Sequence, residues 1–500
     1  MNEREEQLRV NRGLAWVGAA SAVTGVLNVA VIGVILALFV TPAEYGTAAL
    51  ALAAFPILDL ATDMGLSAAL IHSGDHSPAR LSTIFWLNVA MVAVLIAVVL
   101  FALAPGLAAL YEAPIVGEML RLYCVKLLLQ NIYYVPNAIM NRELRFPELS
   151  QIRVVANLVE NLSLVALAAG GAGIWCFVYA PLARTLVLAV GIQRCRPWWP
   201  GLRFDWAATR DSLHFGLKTS LSRILFFVYT GVDSYVVGYW FGREALGLYR
   251  AACDLALDPS RVLGQVVVSV AFPAFSRARE RPAALAGLFL HFARINFIII
   301  ASFLIGVVVA APALLELLDA RWVPAAPVAR ILCIAAVLRG LGMVVPPLLD
   351  SVGRPALTLQ FMAVAAVTMP VCFVAAAALL GDRLGFAAVA WAWVVGYPIA
   401  FAVLLAFALG VLRMRLRSFV AAVARLLLWG LLAALAGLAV GWWLAGAVPA
   451  LVGAAVSLAV AAAVYFGLLA RCEGLGPASL RSALRPSSPG AEAGRTPKIA

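Results

Sequence analysis

Arg250, Asp254, Asp258 and Arg261 follow one another at intervals of four, four and three residues. At 3.6 residues per turn they fall on one stripe of a helix. Such a stripe can close on itself as an ion-pair ladder, or it can turn its charges towards a ligand. Asp59 and Asp63 share a helix face in the same way, below Pro56, and Lys126, Gln130, Tyr133 and Asn137 form another stripe. Asn157, Glu160 and Asn161 lie in the following run, and Lys218, Arg223 and Asp233 in one further on. Guanidinium groups bind phosphate through paired hydrogen bonds. Arg121, Lys126, Lys218, Arg223, Arg250, Arg330 and Arg339 are therefore the candidates for holding an anionic substrate. Asp59, Asp63, Asp233, Asp254, Asp258 and Arg261 are the candidates for gating by ion pairing, or for binding a coupling proton or Na⁺. Purely structural pairing suits any single one of these acids equally well.

No metal site or cofactor is expected. The seven Cys are an odd number without a CxxC pair, and most lie in apolar runs, where each reads as a small buried hydrophobe. His72 and His76 share one polar loop, HSGDH, with no further His or Cys cluster to complete a coordination sphere.

The elements that position these groups are helices that cross a membrane. Of 500 residues, 64% are hydrophobic and 12% charged, against roughly half and a quarter in a soluble domain. That excludes a disulfide-stapled secreted domain, a disordered chain and an ordinary soluble enzyme. A span needs about 20 apolar residues, and the chain reads as fourteen such runs between residues 14 and 470. The runs are continuous rather than alternating, which excludes a β-barrel. The first is read as a span and not a cleaved signal, because NEREEQ before it is partly acidic and no A-x-A site follows. Eleven cations and six acids fall inside the runs. Facing lipid, they would cost on the order of 50 kcal/mol. Most must face a wet interior or reach the membrane surface, and Arg184, Arg294 and Arg425 are expected to do the latter or to form structural pairs.

Placing the N-terminus in the cytoplasm assigns twenty-three Lys and Arg to the cytoplasmic segments and only Arg243, Arg321 and Arg383 to the opposite face. That asymmetry sets the orientation, with both termini cytoplasmic. Much of the net charge of +12 is thus an orientation signal scattered over short loops, and nucleic acid is not an expected partner. No extramembrane stretch is long enough for a catalytic domain. The segment 471–500, rich in Gly, Pro, Ser and Ala, is expected to be a disordered cytoplasmic tail.

The two halves repeat at an offset of about 209. Arg121-x-x-Cys124 answers Arg330-x-x-Cys333, and VPNAIMNRELRFPELSQ from Val135 answers VPPLLDSVGRPALTLQ from Val345. PAEYG, ending at Gly46, is a looser match to REALG, ending at Gly247. Six spans separate each pair, so the repeats are parallel about an axis along the membrane normal. The expected fold is all-α: an N-lobe (1–211, with a linker at 194–211), a C-lobe (212–410), and two extra helices (411–470), the two six-helix lobes enclosing a central cavity.

These residues also carry a family likeness. FVTPAEYGTAAL, MNRELRFPEL, FGLKTSLSRILFFVYTGVDSYVVGYWFGREALGLYRAACDLAL, VLGQVVVSVAFPAFSRAR and LLDARWVPAAPVARILCI, in that order, cover most of residues 10–415. The chain resembles the polysaccharide-transport family of bacterial oligosaccharide flippases, in one superfamily with the multidrug-and-toxin extruders and the peptidoglycan-precursor flippases. The resemblance implies a transporter, not an enzyme. It implies alternating-access export, across the inner membrane, of a glycan linked to undecaprenyl diphosphate, with membrane lipids and polysaccharide polymerase or ligase machinery as neighbours. The motifs do not read the sugar. Two other readings stay open: a multidrug or cation antiporter of the same fold, and a membrane polymerase or ligase. The short external loops speak against the latter.

Overall fold

The computed structural model describes residues 25, 27–63, 77–143, 145–201 and 207–473, without the side chains of 63, 207–223 and 473. Among the described residues every regular element is helical. The order is α1 (Leu27–Leu38), α2 (Pro42–Leu52), α3 (Phe55–Asp63), α4 (Pro78–Leu110), α5 (Pro114–Arg142), α6 (Phe146–Ala169), α7 (Cys176–Cys195) and α8 (Ala207–Ala278). Then come α9 (Pro282–Leu318), α10 (Ala326–Gly342), α11 (Val345–Ser351), α12 (Pro355–Leu384), α13 (Ala387–Leu412), α14 (Leu416–Leu444) and α15 (Ala450–Glu473). Eleven stretches of the described chain are long and apolar enough to cross a membrane.

Local chemistry places the helix ends. Proline occupies the first turn of α2, α4, α5, α6, α9, α10, α11 and α12, where its missing N–H costs nothing. Thr41 and Glu44 cap α2 reciprocally: the Thr41 hydroxyl accepts from the Glu44 N–H at 3.3 Å, and the Glu44 carboxylate accepts from the Thr41 N–H at 2.8 Å. α8 is a hairpin. Gly242 breaks its helix at φ 84°, a backbone region that glycine enters freely. Tyr249 then donates to Asp233 at 2.8 Å, whereas residues that far apart on a straight helix would be about 24 Å distant.

The two halves share one packing order. In the first, α6 and α5 both lie on α7; in the second, α12 and α10 both lie on α13. α14 and α15 stand beside this pair and lean on α9, where Gly437 allows close approach to Val309 and Ala461. The connecting segments sort to opposite ends. Arg145 donates to the Cys195 carbonyl, Arg196 pairs with Glu143, and the Gly201 N–H reaches Ser82 at one end. At the other end Tyr111 donates to the Tyr235 carbonyl and Gly381 packs on Phe241.

At that second end the halves touch. α2 crosses the start of the second limb of α8 with glycine on both sides. A Cβ on Gly46 would lie 1.7 Å from the Arg243 carbonyl oxygen, and one on Gly247 would lie 1.8 Å from that of Pro42. The contact is reciprocal, as a two-fold relation between repeats requires. Beside it the buried Trp322 donates its indole N–H to the Leu36 carbonyl at 2.9 Å. Asp319 nearby accepts from the guanidinium of Arg321 at 3.0 Å and from its backbone N–H at 2.8 Å, which holds its carboxyl below the usual range.

Candidate functional site

Below this contact the halves part around a cavity of about 500 Å³. α1, α6 and α7 supply one wall, with Asn28, Asn157, Glu160, Asn161 and Arg184. α8 and α10 supply the other, with Arg250, Asp254, Asp258, Arg261 and Arg339. A second cavity of about 340 Å³ lies within the second half, mostly apolar, with Phe272, Met343 and Phe361 in its lining. Arg261 and Arg339 line both.

The stripe on α8 is an ion-pair ladder open to the cavity. Arg250 binds Asp254 at 2.6 Å and Asp258 more closely still, and Arg261 approaches Asp258 at 3.9 Å. Tyr45 of α2 donates its hydroxyl to Asp254. The ladder is therefore also tied to the opposite half, a bond that spacing within α8 could not reveal.

Arg339 is held differently. Its guanidinium lies over the ring of Trp393, 4.7 Å from the centroid, a cation–π arrangement. Among the described residues it forms no ion pair. Trp393 is itself fixed, donating its indole N–H to Asp233 at 3.0 Å. Asp233 also accepts from Tyr249 and from the Ser234 N–H, both at 2.8 Å. This carboxylate lies at the cavity edge but is only 3% exposed. Its bonds position Trp393, and through it Arg339.

The remaining candidates are dispersed. Lys126 binds both oxygens of Asp59, at 2.5 and 2.6 Å, and Tyr123 donates to the same carboxylate at 2.9 Å. This half-buried pair joins α3 to α5 and does not line the cavity. Arg330 donates to the Val308 carbonyl at 2.9 Å, tying α10 to α9, and Arg121 is exposed on α5; neither lines the cavity. Asp63, Lys218 and Arg223 carry side chains outside the described set, as do the HSGDH loop and residues 474–500. Arg184 pairs with Glu160 at 3.4 Å inside the cavity.

The charge balance differs from the expected cationic surplus. Among the described lining residues four arginines, at 184, 250, 261 and 339, face four carboxylates, at 160, 233, 254 and 258. The intramembrane surplus lies partly in Arg121 and Arg330, away from the lining. Sequence reasoning missed Tyr45 and Trp393. Neither is charged, and each acts through a partner more than 140 residues away.

The model of the family described as "polysaccharide biosynthesis protein" matches residues 35–327. The teichuronic acid biosynthesis protein TuaB of Bacillus subtilis (strain 168) is 26% identical over 288 residues, 55% of this chain. That match spans 58% of TuaB, somewhat over half its length. The succinoglycan biosynthesis transport protein ExoT of Rhizobium meliloti (strain 1021) is 25% identical over 72% of each chain. Among solved structures, the lipid II flippase MurJ in an inward closed conformation superposes with a TM-score of 0.70. That superposition covers 94% of this chain and 99% of MurJ at 12% identity.

Proposed function

The chain belongs to the polysaccharide biosynthesis protein family, and from that premise we propose that it exports a polyprenyl-diphosphate-linked oligosaccharide across the bacterial inner membrane. The substrate's diphosphate and sugar enter the cavity between the halves while the lipid stays in the bilayer. The halves then rock to open on the other side. The end that carries Gly46 and Gly247 is the periplasmic one. The termini and the basic segments around Arg145 and Arg196 are cytoplasmic, in accord with their charge. The surface polysaccharide polymerase and ligase are its functional neighbours, and the Asp254–Asp258 pair is the place for a coupling proton or Na⁺.

One observation carries this reading. Arg339, with no carboxylate at ion-pair distance among the described residues, lines both cavities together with Arg261, and Arg250 lines the larger one. A diphosphate there would gain charge-assisted hydrogen bonds worth about 1.5–3 kcal/mol each. Arg339→Gln should therefore slow transport of a fluorescent short-chain polyprenyl diphosphate sugar into proteoliposomes by roughly ten- to a hundredfold. The balancing carboxylates favour a second reading, a cation antiporter. Proton-driven loss of a lipophilic cation from the same vesicles, with no movement of the lipid-linked sugar, would establish that reading instead.

A further inference from the structure

The wall that faces the arginines is built from amides. We propose that Asn28, Asn157 and Asn161 read the sugar residue attached directly to the diphosphate, and that they select an uncharged sugar with hydroxyl or acetamido groups. This rests on the exporter reading above and adds a choice of substrate to it.

Asn161 donates to the Asn28 Oδ1 at 2.8 Å, to the Asn157 Oδ1 at 3.0 Å and to the Asn157 carbonyl at 2.8 Å. These bonds fix the orientation of the cluster. Among the described residues, no hydrogen bond occupies the Nδ2 of Asn28, the Nδ2 of Asn157 or the Oδ1 of Asn161. The cluster thus presents two donors and one acceptor to a cavity that it lines. Asn157 and Asn161 are only 8% and 7% exposed, yet their open polar atoms keep access to the cavity, where a ligand or water can take them. Sugar hydroxyls both donate and accept, which matches this set.

Charge narrows the class. On the same wall Glu160 and Arg184 neutralise each other at 3.4 Å. A hexuronic acid would bring a carboxylate against Glu160 with no uncommitted cation beside it on this wall. Because the arginine-rich wall lies across the same cavity, the sugar nearest the diphosphate is the one that meets the amides.

A staple between α1 and α6 is the other role open to this cluster, and it needs only Asn161 and Asn28. Asn157 accepts from its own helix and leaves that staple intact. The test is transport into proteoliposomes of three short-chain polyprenyl diphosphate probes: one bare, one with a single N-acetylhexosamine and one with a single hexuronic acid. The wild type should move the N-acetylhexosamine probe about tenfold faster than the hexuronic acid probe. Asn157→Leu should slow the N-acetylhexosamine probe about three- to tenfold more than the bare diphosphate, with Asn157→Gln recovering part of that difference. Equal wild-type rates for the sugars, or an equal loss on all three probes in Asn157→Leu, would overturn the assignment. Movement of none of the probes by the wild type would instead overturn the exporter reading, and this inference with it.

Discussion

Replacing Gly46 by alanine should prise apart the end at which the halves touch. The added Cβ would lie 1.7 Å from the Arg243 carbonyl oxygen and 2.7 Å from its carbon. Carbon–oxygen contacts between packed helices lie at about 3.3–3.6 Å, so the two helices must separate by about 1.6–1.9 Å. Both obstructing atoms are backbone, and no side chain can swing aside. Gly247→Ala makes the mirror-image collision with Pro42. Overpacking of this kind costs about 1–3 kcal/mol. Against a two-state equilibrium that is a shift of roughly five- to 150-fold towards the state open at this end. Cys253, 3% exposed and in the cavity lining, reports it. In protein whose only cysteine is Cys253, a membrane-impermeant maleimide applied from the Gly46 side should label both variants faster by that factor. Gly106→Ala is the control, since a Cβ there meets nothing within 4 Å. Wild-type labelling of Gly46→Ala and Gly247→Ala, both inserted at normal levels, would refute the idea that this crossing holds the end shut.

Two further outcomes follow from the pairs. Lys126→Met strands Asp59 and should cost about 3 kcal/mol, the low end for a broken buried pair because Asp59 is 35% exposed. Adding Asp59→Leu should recover most of that loss, read as the thermal midpoint in detergent. Tyr45→Phe removes the bond from α2 to Asp254, worth about 1.5–3 kcal/mol for a charged acceptor. It should raise Cys253 labelling from the same side without lowering the thermal midpoint as far as Lys126→Met does.

The sequence made some of this legible and hid the rest for physical reasons. The ladder on α8 was readable because its members share one helix, where spacing dictates contact. The match of PAEYG with REALG marked both glycines of the crossing, since a symmetric contact leaves the same residue in each repeat. That the two touch was not readable, because spacing along a chain carries no distance between helices 201 residues apart. Arg121 and Arg330 show the limit most clearly. They match across the repeat, yet one is exposed and the other donates to a backbone carbonyl. In Leu- and Ala-rich spans both faces of a helix are apolar, so the pattern that fixes helix rotation in soluble proteins is weak. The pairing of Asp59 with Lys126, and of Glu160 with Arg184, depended on that rotation. Helix ends were clearer, because proline, Thr41 and the glycines act locally.

The balance of charge in the cavity bears on a step that involves no cargo. A transporter that releases its load must return empty, and its walls must come together around water or nothing. Four arginines without acids would each lose several kcal/mol of hydration on that stroke. Here Arg250 has Asp254, Arg261 has Asp258, Arg184 has Glu160, and Arg339 has the face of Trp393. Each cation thus keeps a partner of its own when the site is vacant. Under the exporter reading proposed above, the pairing that weakens the grip on an anion would let the unloaded protein reset and turn over again.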